Sequence, residues 1–414
     1  MTELTIERLG QRGEGIAEGP VYVPYALPGE RVEAEVKADR GHLTKILQPS
    51  PDRIDPICPY FGTCGGCAVQ TLNDAAYATW KHGLVVEALR HHKFDVAVSA
   101  LVNVHGAGRR RATFHAAMDN GKARVGFMQA RSHEIVEIDA CPLFAPELSG
   151  AVTAAREISQ ALAHRNKPLD IVVSATINGL DVDVRGCGPL GEADVQKMTK
   201  LAASLNLARL ANHGTNIVER FPPLVQMGLA QVVLPPGAFL QATVAAENAL
   251  ADAVVSAIGS SKKVADLFSG VGTFALRLAQ KAQVYAVEND PAALRALQAA
   301  SHTPGLRQVN VELRDLFARP LQPAELNSFD ALVFDPPRAG AEAQARELAK
   351  STVAKIIAVS CNIQTFARDA RILVDAGYVL ESVTPYDQFR YSTHVELIGV
   401  FSRKTVKAKR RLFG

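Results

Sequence analysis

From Lys262 onward the chain alternates β-rich runs with helix-compatible stretches, an order that few folds accept. Val264 to Phe268 reads as a strand, Phe274 to Gln280 as a helix, Val284 to Val287 as a strand and Pro291 to Ala300 as a helix. Strands Asn310 to Leu313 and Ala331 to Phe334 follow. Next come a helix near Ala341 to Lys350, strand Lys355 to Val359, helix Gln364 to Ala376 and two closing strands, Val379 to Thr384 and Val395 to Phe401. Such alternation predicts an α/β, doubly wound, mainly parallel sheet, because a strand that returns through a helix joins its predecessor in parallel. The closing strands lack an intervening helix and predict an antiparallel edge. In such sheets ligands bind outside the carboxyl ends of the strands.

Three sequence motifs fall at those ends. Asp266-Leu267-Phe268-Ser269-Gly270-Val271-Gly272-Thr273-Phe274 places Gly-x-Gly between strand and helix, where backbone amides can meet a ligand closely. The next strand ends at Glu288, placed to accept hydrogen bonds from two ribose hydroxyls, so a nucleoside cofactor is implied. Gly270, Gly272 and Ala275 also satisfy the loose dinucleotide fingerprint, which keeps a nicotinamide dehydrogenase in view. Asp335-Pro336-Pro337-Arg338 closes the fourth strand, where two prolines stop strand pairing and free Asp335 to face a substrate. Ser360-Cys361-Asn362 closes the fifth, just before a helix whose N-terminal dipole is expected to lower the thiol pKa.

Hydride transfer has no use for Cys361 or the Asp-Pro-Pro-Arg turn, whereas methylation at uracil C5 needs a nucleophile. That carbon reacts poorly until a thiolate adds at C6. A base must then remove the C5 proton, and Glu396 on the last strand is the candidate. Read alone, Cys361 is more readily a small core residue and Glu396 a solvated edge carboxylate, and His394 is equally a structural histidine; the place of Cys361 between Ser360 and Asn362, at a switch from strand to helix, reverses that preference.

The front half differs. Leu4 to Leu47 contains five short strands separated by Gly and Pro, suggesting a small OB-like barrel of the type that binds single-stranded nucleic acid, or one that only packs on its neighbour. A proline-rich linker, Gln48 to Pro56, leads to Cys58, Cys64 and Cys67, with Cys141 far downstream. Helix-compatible residues follow from Asp74 to His91, then a mixed α+β segment to about Pro236. Four cysteines suit a metal or cluster, and zinc is the ordinary choice for an isolated Cys-x2-Cys pair. Cys187 lies in Arg-Gly-Cys-Gly and reads as a turn residue without a role. The net charge of +3 is small, although Arg109-Arg110-Arg111 and Lys404 to Arg411 concentrate positive charge that reads equally well as solvated surface. No apolar run approaches a membrane span, and reduced clustered thiols suggest the cytoplasm.

Together these residues resemble the RNA uracil-C5 methyltransferase family, in the branch with an N-terminal TRAM barrel and an iron–sulfur cluster. The resemblance covers nearly the whole chain. It is carried by Gly-Glu-Gly-Ile-Ala from Gly13, Leu-Pro-Gly-Glu from Leu27, the four cysteines, Phe239-Leu240-Gln241, the loop from Asp266, Asp335-Pro336-Pro337-Arg338, Ser360-Cys361-Asn362 and His394-Val395-Glu396. It implies Cys361 as nucleophile and Glu396 as proton acceptor. Gln241, Phe268, Thr273, Glu288, Asp315 and Asp335 would line the S-adenosylmethionine or active site. Cys58, Cys64, Cys67 and Cys141 would hold a [4Fe–4S] cluster.

The implied organisation is a TRAM-like barrel over 1–50, a cluster and RNA-binding region over 51–235, a methyltransferase domain over 236–403 and a basic tail over 404–414. About 70–105 would pack against the catalytic part. The implied partner is RNA, ribosomal (23S) before transfer RNA, and the protein is expected to be a monomer. Thr273 stands where asparagine is usual, Ile363 where proline is common, and Arg390-Tyr391-Ser392 departs from the family pattern. A cytosine-C5 enzyme is disfavoured because the chain contains no Pro-Cys. An RNA-binding assembly factor without catalysis would leave Cys361 and Glu396 unexplained.

Overall fold

The computed structural model describes residues 1–403, so the basic stretch Lys404 to Arg411 lies outside the described residues. Five strands close into a barrel in the order Thr2–Leu9, Glu14–Ala17, Val21–Pro24, Arg40–Gln48 and Arg31–Lys37. Glycine turns keep them short, and Ile6, Val23, Val32 and Ala34 fill the interior. At Gly15 an added Cβ would stand 2.7 Å from the Ala26 carbonyl oxygen, so closure itself requires a residue without a side chain.

The middle of the chain builds a seven-stranded sheet in the order Thr215–Glu219, Arg209–Asn212, Gly179–Arg185, Leu169–Thr176, Arg111–Asp119, Lys122–Met128 and Ile135–Glu137. Helices Ala151–Ala161 and Glu192–Ser204 pack on it through Ala155, Ile158, Met198 and Ala202. Cys187 does more than turn the chain. It is fully buried in this core, and its thiol donates to Asn212 Oδ1 at 2.9 Å.

The rear half forms an eight-stranded sheet in the order Val309–Leu313, Gln283–Glu288, Lys263–Leu267, Ala331–Phe334, Lys355–Ser360, Glu396–Arg403, Tyr378–Asp387 and Val102–Asn103. The first five strands pair in parallel, which makes the chain α/β as its periodicity predicts. Glu396–Arg403 runs antiparallel to both neighbours. It is not an edge strand, however, and Tyr378–Asp387 is itself covered by Val102–Asn103, which pairs with Tyr386 and Asp387. A two-residue strand carries no periodic signal. It reaches the sheet because helix Asp74–His91, capped by the Asn73 side chain, inserts Val85 and Leu89 into the core beside Ile356 and Phe366.

Two local differences concern the helices. After the glycine loop only Ala275–Leu278 is regular helix, since Arg277, Gln280 and Lys281 bond three residues back. A short helix, Pro323–Leu326, stands between strands that read as consecutive, started by a capping box of Gln322 and Glu325. Among the described residues no helix is long and apolar enough to cross a membrane.

Arg110, expected as solvated charge, is instead buried at the junction of the front and rear halves. Its guanidinium donates to the Gln241 carbonyl and to the Glu247 carboxylate, which also receives Arg277 at 2.9 Å. Glu247 is fully buried and holds both cations. Removing it leaves two uncompensated buried charges, so Glu247→Ala is expected to lower unfolding stability by about 3 kcal/mol. A urea titration tests this, and an unchanged midpoint would mean the node contributes nothing.

Candidate active site

The carboxyl ends of four parallel strands and the loop before the final antiparallel strand converge on a cavity of ≈ 510 Å³. Strand Lys263–Leu267 delivers the glycine loop. Phe268 leaves it at φ +61°, a strained left-handed position for a non-glycine residue, with its ring 5.5 Å from that of Phe317. Gly272 sits at φ +102°, where an added Cβ would stand 2.5 Å from Leu297, so the loop presses onto helix Pro291–Ala300. Strand Gln283–Glu288 ends in a carboxylate that accepts N–H bonds from Gly270, Asn289 and Asp290. Asn289 and Asp290 both bond Oε1, so Oε2, which takes only the Gly270 N–H, stays open to a further donor.

Gln241, Phe268, Thr273, Glu288, Asp335, Cys361 and Glu396 all line this cavity. Asp315 stands outside it. Its carboxylate accepts from the Phe317 and Ala318 N–H groups, so it sets the turn that presents Phe317. Cys361 also borders a second opening of ≈ 220 Å³, lined in addition by Gln11 of the barrel and Leu84 of helix Asp74–His91. The thiol therefore lies where the cofactor-sized cavity meets a passage reaching the barrel.

The interior and its wall are rich in carboxyl groups. Neither Asp266 carboxylate oxygen has a side-chain hydrogen-bond partner behind the glycine loop, and the Ser269 hydroxyl on the cavity wall is also unpartnered. Burial, then the Asp335 charge, pushes Asp266 well above the carboxylate range. Burial alone raises Asp335 to about 7. Burial and Asp335 raise Glu396 to about 8, although Gln388 donates to it at 2.9 Å. Orphaned polar atoms, uncompensated carboxylates and apolar walls from Phe239, Phe268 and Phe317 suit a cationic nucleoside, which is the chemistry of S-adenosylmethionine.

Those carboxylates also reverse the expectation for Cys361. Its thiol is pushed up to about 11 by burial and by the Glu396 and Asp335 charges, which outweigh the helix terminus. Asn362 does cap that helix, its side chain accepting from Gln364 and Thr365. His394 moves the other way, to about 4, through burial and the neighbouring Arg338 guanidinium, which donates to Nε2 at 3.0 Å. The imidazole is thus neutral at pH 7.

Gln388 and Phe389 escaped the sequence reading. Gln388 meets Gln241 across 147 residues of chain, and no motif marks it. Phe389 lines the cavity beneath the Arg109 guanidinium, 5.5 Å from its ring centre. Asp266 was visible as the start of the loop motif without an assigned role.

The cysteine loop rests on strand Lys122–Met128, with Gly65 N–H donating to the Met128 carbonyl at 2.9 Å and leaving no space for a Cβ. Cys64, Cys67 and Cys141 are all raised by burial first, with neighbouring cysteine charges adding to the rise, and Cys67 reaches about 11. Thiols at Cys64, Cys67 and Cys141 whose ionisation is disfavoured in this way suit a cationic centre. Among the described residues, however, no three His, Cys, Asp or Glu side chains are arranged to hold a metal ion.

The model of the tRNA (uracil-5-)-methyltransferase family matches residues 233–405. An uncharacterized RNA methyltransferase of Brucella suis biovar 1 (strain 1330) is 46% identical, covering 97% of this chain and 98% of the relative. The 23S rRNA (uracil(1939)-C(5))-methyltransferase RlmD of Halomonas elongata is 33% identical, covering 95% and 88%. The crystal structure of Pyrococcus abyssi tRNA (uracil-54, C5)-methyltransferase with S-adenosyl-L-homocysteine has the same fold, with TM-score 0.73 at 20% identity over 97% of this chain and all of that one.

A carboxyl group whose folded pKa is raised binds its proton more tightly folded than unfolded. Its stabilisation is complete below the ordinary carboxylate range, about 4, and is lost as pH rises through the folded value. For Asp335 and Glu396 that window closes near pH 7 to 8. The cofactor-free protein should therefore melt at a lower temperature at pH 8.5 than at pH 6, and Asp335→Asn/Glu396→Gln should flatten the dependence. Parallel melting profiles for the two proteins would contradict the assignment.

Proposed function

The chain belongs to the RNA uracil-C5 methyltransferase family, and we propose that it methylates C5 of a uridine in 23S ribosomal RNA through Cys361 and Glu396. The observation that carries this reading is the shared cavity, in which Cys361 stands close enough to Glu396, beside the glycine loop, for the Glu396 charge to raise its thiol pKa. Ribosomal RNA is favoured because the Halomonas elongata relative that acts on it aligns along most of both chains at 33% identity. Transfer RNA is the alternative, since the Pyrococcus abyssi enzyme of similar fold acts on it.

When bound, S-adenosylmethionine supplies an electrophilic methyl group on a positively charged sulfur. That charge, in the cavity lined by Asp335 and Glu396, would offset the field that, with burial, holds the Cys361 thiol protonated. Ser269 would meet its polar end and Glu288 its ribose, with Phe268, Thr273 and Phe317 against the remainder, while Asp266 is buried behind the glycine loop. The target base would leave its stack and enter from the barrel side, where Gln11 and Leu84 border the thiol.

Cys361 as thiolate forms a bond to uracil C6, and the C5–C6 electron pair moves onto C5, which takes the methyl group while the pair of the broken methyl–sulfur bond stays with the departing S-adenosylhomocysteine. Glu396 then accepts the C5 proton. The C5–C6 double bond returns as the bond from sulfur to C6 breaks, restoring the thiolate. Gln241 and Asp335 face the same space and would orient the base, while Arg338 holds His394 neutral at its rim.

For the remainder of the chain, residues 1–50 would form a TRAM-like RNA-binding barrel and residues 51–235 would grip folded RNA, with Cys58, Cys64, Cys67 and Cys141 holding a [4Fe–4S] cluster. Zinc would need its sulfurs within about 4 Å of each other, given Zn–S bonds of about 2.3 Å. A four-iron cube is larger and spreads its thiolates further apart. No reaction step passes through it. Its role would be to stiffen the loop whose Ala68 N–H donates to Tyr391 O at 2.7 Å.

Incubation with methyl-labelled S-adenosylmethionine and separate ribosomal and transfer RNA pools should label the ribosomal pool, and Cys361→Ala should abolish the label. Label in neither pool refutes the enzyme reading, and label that survives the substitution removes Cys361 from the mechanism. Glu396→Gln should accumulate a denaturation-resistant protein–RNA adduct, whereas quantitative release of RNA would exclude Glu396 as the base. Protein purified without oxygen should be brown and carry about four irons and four sulfides. A colourless protein carrying one zinc would replace the cluster with a zinc site.

A further inference from the structure

We propose that Gln388 is a positioning residue that locks the orientation of Gln241 and so makes the pocket accept uracil and refuse cytosine. The inference rests on the uridine-methylating reading above. It starts from a backbone N–H, which only donates. Ala242 N–H points at Gln388 Oε1 at 2.7 Å, so that side of the Gln388 amide must be its carbonyl oxygen. The Gln388 NH2 group then faces two acceptors, Gln241 Oε1 at 2.8 Å and Glu396 Oε1 at 2.9 Å. Both of its N–H bonds are used.

With its own oxygen committed to Gln388, Gln241 must turn its NH2 group outward. That nitrogen stands 3.4 Å from Asp335 Oδ2, on the wall of the cavity that also holds Cys361. Gln388 and Gln241 are only 2% and 3% exposed, so no solvent is at hand to repair a reversed amide. Turning either one over would set donor against donor or acceptor against acceptor in a buried place. One backbone amide thus dictates the polarity of a chain running from Ala242 through Gln388 to Gln241 and Glu396.

The consequence is chemical. Uracil carries an acceptor oxygen at its 4-position, whereas cytosine carries an amino donor there. A locked Gln241 NH2 matches the first and opposes the second. The same Gln388 nitrogen donates to Glu396 and so favours the carboxylate that accepts the C5 proton. Gln388 need not touch the base, since it acts through Gln241 and Glu396.

Two RNAs identical except for uridine or cytidine at the modified position provide the test, through competition binding and initial methylation rates. In Gln388→Glu the side chain has no donor, so Gln241 should turn its NH2 toward it and its carbonyl toward the cavity. The uridine-to-cytidine preference in binding should fall by at least about tenfold. In Gln388→Met the loss of the donor to Glu396 should move the acid limb of the kcat profile to higher pH. Gln241→Glu keeps the acceptor that Gln388 requires while placing an acceptor on the cavity, and it should lower the same preference with Gln388 intact. Folded variants, checked by melting temperature, that retain wild-type preference and an unmoved acid limb would overturn the lock. Should wild-type protein methylate neither RNA, the uridine reading fails first and the lock with it. That outcome is distinct from wild-type activity with unaltered preference in the variants.

Discussion

The active-site loop depends on one buried ion pair. Asp387, at the end of strand Tyr378–Asp387, is met by Lys81 from helix Asp74–His91, and both are essentially inaccessible to solvent. Tyr77 donates to Asp387 at 2.7 Å, and His105 lies 2.8 Å from the same carboxylate oxygen. Lys81 further donates to the Tyr77 hydroxyl and the Phe389 carbonyl, so each of its three N–H bonds is used. Burial pulls the lysine down to about 8 despite its partner, which measures how firmly the fold excludes water there. Isolated, either charge would be costly. Paired, they pin the start of the segment from Gln388 to His394, which supplies the cavity with Phe389 and His394 and Glu396 with its donor. Tyr391 in this segment receives the backbone of Ala68, next to Cys67, so the cysteine loop and the catalytic cavity share one support.

Within the cavity, electrostatics sets the conditions for chemistry. Burial holds three carboxyl groups and a thiol on the protonated side of their usual ranges, and repulsion from neighbouring carboxylates adds to it at Asp266, Glu396 and Cys361. A site in this state is poorly nucleophilic when empty. A cationic cofactor supplies the missing counter-charge, which couples activation of the thiol to occupancy of the neighbouring cavity. In the proposed mechanism the carboxylates that depress thiolate formation thus have a use once that charge arrives, since Glu396 would take the departing proton.

Much of this was legible along the chain because it is local. Strand, loop and helix in the rear half follow periodicity, and Asp335 and Cys361 stand at strand ends where an α/β sheet presents ligands. Helix Asp74–His91 was readable from composition. What escaped was non-local. Lys81 looks like any helical lysine until Asp387 arrives from across 306 residues, and Gln388 is unremarkable until Gln241 does. Arg110 read as solvated charge because Glu247 lies 137 residues away. The Cys361 pKa was misjudged for the same reason: a helix terminus is visible in sequence, whereas burial beside Glu396 and Asp335 is a property of the closed fold.

The central claim is that the methyl group replaces a proton at uracil C5. RNA carrying uridine tritiated at C5 measures this directly when tritium release is followed alongside methyl incorporation from labelled S-adenosylmethionine. The account predicts one tritium released to water for each methyl incorporated, with release abolished in Cys361→Ala. Methyl incorporation with tritium retained in the RNA would place the methyl elsewhere and contradict it.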